Sequence, residues 1–265
     1  MSFKLCEVRC NISRNWFHSK YMSTSTQFDW RRSDRRVYAA VAVFFVLVVL
    51  IGFGRTYYFR FAVDGPAVPS MLVHLHGLVM TLWVAFFVSQ VWLIRTKRAK
   101  VHMNMGMLGI ALAIVVVVVG FFTAAAAAKN GSAASPPDIP PLAFFIVPFC
   151  DIILFAIFFA AAIYYRKRLA DHKRLMLLTV LNFLPPAVAR IPIPALQAFG
   201  PLFFFGIPTL LALGFIAYDT VRNGKLNKPF MIGAAILIAS YPLRLMVSET
   251  NAWLTFAAWI TSWAA

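Results

Sequence analysis

Seven residues could do chemistry because each places an ionisable side chain in or at the end of a long apolar run: His74, His76, His102, Asp151, His172, Arg190 and Arg244. An unpaired charge in hydrocarbon is costly, so groups of this kind are paired, neutralised or used. His102 follows KRAKV and His172 sits in RLADHKRLM, which puts both at the start of apolar segments and at comparable depth. One imidazole from each of two neighbouring helices is how membrane helical cores hold haem b, and a metal could take the same pair. The basic residues alongside suit haem propionates.

His74 and His76 are two residues apart, roughly 200° around a helix, so they face opposite ways and cannot grip one centre. His76 shares a stripe with Met80, Trp83, Phe87 and Gln90, and His74 one with Gly77, Thr81 and Ala85. Asp151 falls near the middle of its apolar run, where a bare carboxylate is least tolerable, and must be protonated or paired. An arginine cannot discharge, so Arg190 and Arg244 must each reach outward or meet an anion. Asp151 can neutralise at most one of them. Two arrangements satisfy these residues. In one, Arg190 and Arg244 contact a bound anion and Asp151 acts as a proton-linked switch; in the other, they form an ion-pair lock between helices.

The elements that carry these groups are membrane helices. The chain has 265 residues, 61% hydrophobic and 13% charged, with a mean hydropathy of +0.77, far from a soluble average. Seven apolar runs, at about 37–54, 70–95, 105–128, 142–165, 175–195, 201–219 and 230–247, are each long enough to cross hydrocarbon at about 1.5 Å per residue. The fold expected is all-α: a polytopic bundle of seven helices over 37–247, after a partly disordered basic tail at 1–36. Pro185, Pro186, Pro192 and Pro194 must kink or break the fifth run. The tryptophan-bearing residues 248–265 suit an interfacial helix better than another crossing.

Lys and Arg crowd every second gap. They are dense before the first run, at Arg95 to Lys100, at Arg166 to Arg174 and at Arg222 to Lys228, and sparse elsewhere. Under the positive-inside rule this places the N-terminus in the cytoplasm and the C-terminus outside. The net charge of +16 is then a matter of topology and anionic headgroups, and nucleic acid is not an expected partner. The first residues lack the apolar core and small-residue cleavage site of a secretory signal. Met22 opens a plausible shorter chain. Cys6, Cys10 and His18 lack a fourth ligand for a metal, and with Cys150 they give no extracellular pair, so disulfides are not expected. Phosphate-binding loops, HExxH and Gly-x-Ser-x-Gly are all missing, and the seventh run has no lysine for a retinal Schiff base.

The segments HLHGLVMTLW, KVHMNMGMLG, DIILFAIFF and DHKRLMLLTVL, in that order, resemble a group of bacterial multi-span membrane proteins that carry His-x-His-Gly and His-Lys-Arg-Leu-Met signatures. More distantly the chain is similar to small membrane families associated with haem proteins or oxidase assembly. The resemblance covers about residues 70–195 and implies cofactor ligation at His74, His76, His102 and His172. It also implies a bacterial inner-membrane location and association with a larger, respiratory-type membrane complex. Unlike two-haem electron carriers, the chain has no second full-depth histidine in the outer leaflet.

Three functions follow as expectations. One is a redox-linked role with haem b or a metal on His102 and His172. Another is an outward-facing binder or transporter of a small anion or lipid-like molecule through Arg190, Arg244 and Asp151. The third is an accessory or scaffold subunit. Membrane lipids are partners in all three.

Overall fold

The computed structural model describes residues 34–63, 70–131 and 138–263. The basic tail expected at 1–36 lies outside them except for its last three residues, as do Cys6, Cys10 and His18. Ten helical elements account for nearly all of the described chain, and no strand occurs among the described residues. They are α1 Asp34–Tyr58, α2 Met71–Arg95, α3 Ala99–Asn130, α4 Pro141–Tyr164, α5 Leu169–Asn182, α6 Leu184–Val188, α7 Pro194–Gln197, α8 Pro201–Asn223, α9 Lys228–Val247 and α10 Asn251–Ser262. Six of these, α1 to α4, α8 and α9, are long and apolar enough to cross a membrane, the pattern of a multi-pass membrane protein.

The fifth apolar run is where sequence and structure diverge. It does not form one helix over 175–195. It begins earlier, at Leu169, stops at Asn182, resumes for a single turn at Leu184–Val188 and then breaks. Proline explains the break. Pro185 and Pro186 occupy the first turn of α6, where their missing N–H groups cost nothing, and Pro194 opens α7 in the same way. The early start has a different cause. α5 packs among α4, α8 and α9, so Asp171, Arg174, Thr179 and Asn182 are buried against protein. A helix enclosed in this way need not be apolar all round.

The chain divides into two compact units, Met1–Phe44 with Phe87–Asn104, and Phe45–Phe86 with Met105–Ala265. The second carries the core. One of its clusters packs Val79, Trp83, Ala113, Val116 and Phe155, with the Trp83 ring edge-on to Phe155 at 4.9 Å. Another packs Ala124, Ala125, Phe145 and Ile146 against Trp253 and Ala257 of α10. Thr250 caps α10 through the Trp253 amide at 3.3 Å. The Trp253 indole donates to the Leu142 carbonyl at 3.0 Å, which ties this helix to the start of α4. With 12 residues, α10 is about 18 Å long, too short to span hydrocarbon.

Two glycines allow close approaches. A Cβ on Gly52 would collide with the backbone carbonyl of Ala187, which brings α1 against α6. A Cβ on Gly77 would overlap the Tyr57 ring. The end of α1 and the start of α2 are tied by Tyr58, whose hydroxyl donates to Thr81 Oγ1 at 2.9 Å. The direction follows from Thr81, whose one proton goes to the Gly77 carbonyl at 2.7 Å.

Candidate functional site

The second unit has polar groups at two ends. α4 ends at Tyr164 and α5 begins five residues later, so those termini share one end. The opposite end holds the start of α4, the close of α1 against α2, the α6 turn and the C-terminal part of α9. His74, His76, Arg190, Arg244 and Asp151 all lie toward this second end, and His172 lies at the first.

Asp151 and Arg244 meet. Arg244 Nη1 donates to Asp151 Oδ1 at 2.6 Å and to the Val147 carbonyl at 3.3 Å, and Nη2 donates to Ser240 Oγ at 3.2 Å. The two residues are 4% and 1% exposed, so this is a buried pair and its short, charge-assisted contact matters to stability. Tyr241 stacks on Phe205 at 4.5 Å, and the Arg244 guanidinium lies 5.4 Å from the Tyr241 ring and 5.8 Å from that of Phe205. Asn182 at the end of α5 donates to the Asp151 backbone carbonyl at 2.8 Å. Four helices therefore converge on one ion pair.

Arg190 stands apart from that pair. Its Nη1 donates to the Pro186 carbonyl at 2.7 Å, and its guanidinium lies 5.0 Å over the Phe53 ring. The local backbone explains the first contact. After α6 the chain tightens, and the Arg190 amide bonds to Ala187, three residues back, at 3.2 Å. The Pro186 carbonyl, four residues back, is left for the side chain. Among the described residues no carboxylate pairs with Arg190. His76 lies close enough for electrostatic interaction with it, and the buried Nδ1 of His76 has no hydrogen-bond partner among the described residues. His74 is exposed on the other face of α2, its ring 6.1 Å from that of Tyr57 and its carbonyl 3.3 Å from the Tyr57 hydroxyl.

His172 and His102 belong to different units. The Nδ1 of His172 lies 2.8 Å from the Ala162 carbonyl. A carbonyl only accepts, so in the neutral ring Nδ1 carries the proton and Nε2 the lone pair. His102 is partly buried near the start of α3.

No family model, no curated protein and no solved structure matches this chain.

A second polar cluster, at the His172 end, was not among the residues singled out by type and spacing. Arg174 of α5 pairs with Asp219 of α8 and also donates to the Ala170 carbonyl at 2.5 Å. Asp171 takes Arg168 Nε at 2.7 Å and Asn227 Nδ2 at 2.5 Å. Asn227 in turn caps α9 by accepting from the Phe230 amide at 3.0 Å. The signal was present in the sequence: Asp171 and Asp219 are acids within stretches that are otherwise basic. The cluster ties α5, α8 and α9 together, and each of its charged residues has a partner of opposite charge. The Arg190 region differs, because it holds a cation with no anion among the described residues.

Proposed function

We propose that the protein is a multi-pass inner-membrane protein of a bacterium that binds a small anion or an anionic, lipid-like molecule at Arg190. The chain then crosses seven times, N-terminus in the cytoplasm and C-terminus outside, with α5 and α6 together as the fifth crossing. Two contacts support that crossing: His172 meets α4 at Ala162 and Asn182 meets it again at Asp151, about 16 Å apart along α4. The alternation of Lys and Arg between gaps supports the orientation.

The observation that carries the functional reading is the way the charges divide. Asp151, the carboxylate among the candidate residues, is taken by Arg244. That leaves Arg190 with a carbonyl and an aromatic face, which stabilise a guanidinium but do not neutralise it. An anion seated on Arg190 supplies the missing charge. His76, whose buried Nδ1 has no hydrogen-bond partner among the described residues, can donate a hydrogen bond to the same anion. The anion-binding set is thus Arg190 with His76, and Asp151 and Arg244 hold the helices that position them.

A thermal-shift titration of the full chain in detergent tests this, with inorganic phosphate, acetate and glycerol 3-phosphate as probes. Wild type gains stability with at least one probe, and Arg190→Gln gains none. Equal shifts in both proteins would overturn the reading.

A second reading has one observation in its favour. The His172 Nδ1 is held by the Ala162 carbonyl, the kind of outer hydrogen bond that orients ligating histidines. His172 would then be an axial ligand of haem b in a redox-linked protein. The reduced visible spectrum of protein purified from cells given haem precursor tests it: an α band that His172→Ala removes supports it, and a colourless wild type ends it.

A further inference from the structure

Three polar atoms at the Asp151–Arg244 junction are buried and have no hydrogen-bond partner among the described residues: Asn182 Oδ1, the Tyr241 hydroxyl and Arg244 Nε. Their residues are 0%, 3% and 1% exposed, so bulk solvent does not reach them. Each is fixed to the pair by other contacts. Asn182 spends its amide donor on the Asp151 carbonyl at 2.8 Å, which leaves its oxygen as an acceptor. Arg244 Nη1 donates to Asp151 and Val147 and Nη2 donates to Ser240, while the Nε proton goes unused. The Tyr241 ring is stacked on Phe205 at 4.5 Å with the guanidinium 5.4 Å from its centre, and Tyr241 lies close enough to Asp151 for electrostatic interaction.

The three atoms are complementary in type. A guanidinium N–H only donates, an amide oxygen only accepts and a phenol does both, yet none of them is bonded to another. The backbone adds an acceptor: Pro242, inside α9 and next to Tyr241, has no N–H, so the Ile238 carbonyl lacks its helical donor. Left unpaired, such groups forfeit their hydration with nothing in return. What satisfies them must accept from Arg244, donate to Asn182 and bond a phenol. A carboxylate has no proton to give Asn182, a metal ion has no lone pair for Arg244, and an acyl chain has neither. Water has both, and buried water typically makes about three bonds to groups otherwise unsatisfied.

We infer that ordered water is bound at the Asp151–Arg244 junction, accepting from Arg244 Nε, donating to Asn182 Oδ1 and bonded to the Tyr241 hydroxyl. The pair is then a hydrated joint within the bundle. Residues of α4, α5 and α9 are held by a network in which the Tyr241 hydroxyl counts as well as the two charges. This site is independent of the anion reading of Arg190.

X-ray hydroxyl-radical footprinting of the full chain in detergent tests the inference, because radicals formed from bound water modify the side chains beside it even where bulk solvent is excluded. Tyr241 should be modified, while Phe145 and Phe158, 1% and 2% exposed on the same helix as Asp151, should stay protected. Tyr241 as well protected as those two phenylalanines would overturn the inference, and that is also the result expected if another part of the chain supplied the missing partners. Tyr241→Phe adds a test of sign. Removing a hydroxyl that bonds water should lower the melting midpoint by about 2–4 °C, the shift of one hydrogen bond of ordinary strength in a chain of this size. Removing an orphaned hydroxyl from a dry core leaves the midpoint unchanged or raises it, and either outcome would overturn the inference.

Discussion

Asp151 of α4 and Arg244 of α9 are joined by a 2.6 Å hydrogen-bonded ion pair buried where α4, α5, α8 and α9 meet. Its consequence lies on another residue. Because the pair is closed, and because Arg244 also spends a second contact on Val147 and a third on Ser240, Arg190 is left without a carboxylate partner among the described residues.

Breaking the pair from either side should be costly. Asp151→Asn and Arg244→Gln are each expected to lower stability by about 3–5 kcal/mol, since each leaves an uncompensated or poorly solvated group in the bundle. A double Asp151→Leu, Arg244→Met protein should recover most of the loss, because an apolar pair needs no compensation. Unfolding in mixed detergent measures all three. Near-neutral single variants would mean that the pair is not the junction described.

Packing at Gly52 is a separate test of the α1 and α6 contact. Gly52→Val is expected to cost about 1–3 kcal/mol or more, since the new side chain meets a backbone carbonyl that cannot swing aside. Gly106→Ala on α3, where nothing lies within 4 Å, should be neutral or slightly stabilising. Midpoint temperatures of the two variants, compared with wild type, decide it. Equal behaviour would remove the close approach on which the Arg190 site depends.

Topology can be read with fusions. A reporter joined after Lys129 should be active in the periplasm, and one joined after Arg168 in the cytoplasm. The same side for both would contradict the seven-crossing arrangement and the outward aspect of Arg190.

Much of the fold was legible because hydrocarbon imposes a simple requirement. Wherever a helix faces lipid on most sides, as α2 and α3 do, a run of apolar residues marks it, and only the ends shift. α3 begins at Ala99, not near 105, because its first turn carries Lys100 and His102, which are tolerated at a helix end. α5 was the least legible element, since protein on several sides lets it bury Asp171, Arg174 and Asn182. A hydropathy reading registers Asp171 and Arg174 as loop.

The candidate site was legible by residue type but not by pairing. Asp151 could have met either Arg190 or Arg244, and nothing local distinguishes them, because the choice depends on how α4 sits against α5 and α9. The structure adds the Pro186 carbonyl and the Phe53 ring as the partners of Arg190. Neither has a sequence signature: one is a carbonyl released by a tightened turn, and the other is one of 26 phenylalanines.

The most direct measurement compares Arg190→Gln with Asp151→Asn in the same anion titration, following the melting temperature of the full chain against glycerol 3-phosphate. The account predicts that Asp151→Asn melts lower than wild type but keeps its anion-dependent rise, while Arg190→Gln loses the rise. An Arg190→Gln protein that still gains the full increment, or an Asp151→Asn protein that alone loses it, would contradict the assignment of Arg190 as the anion site.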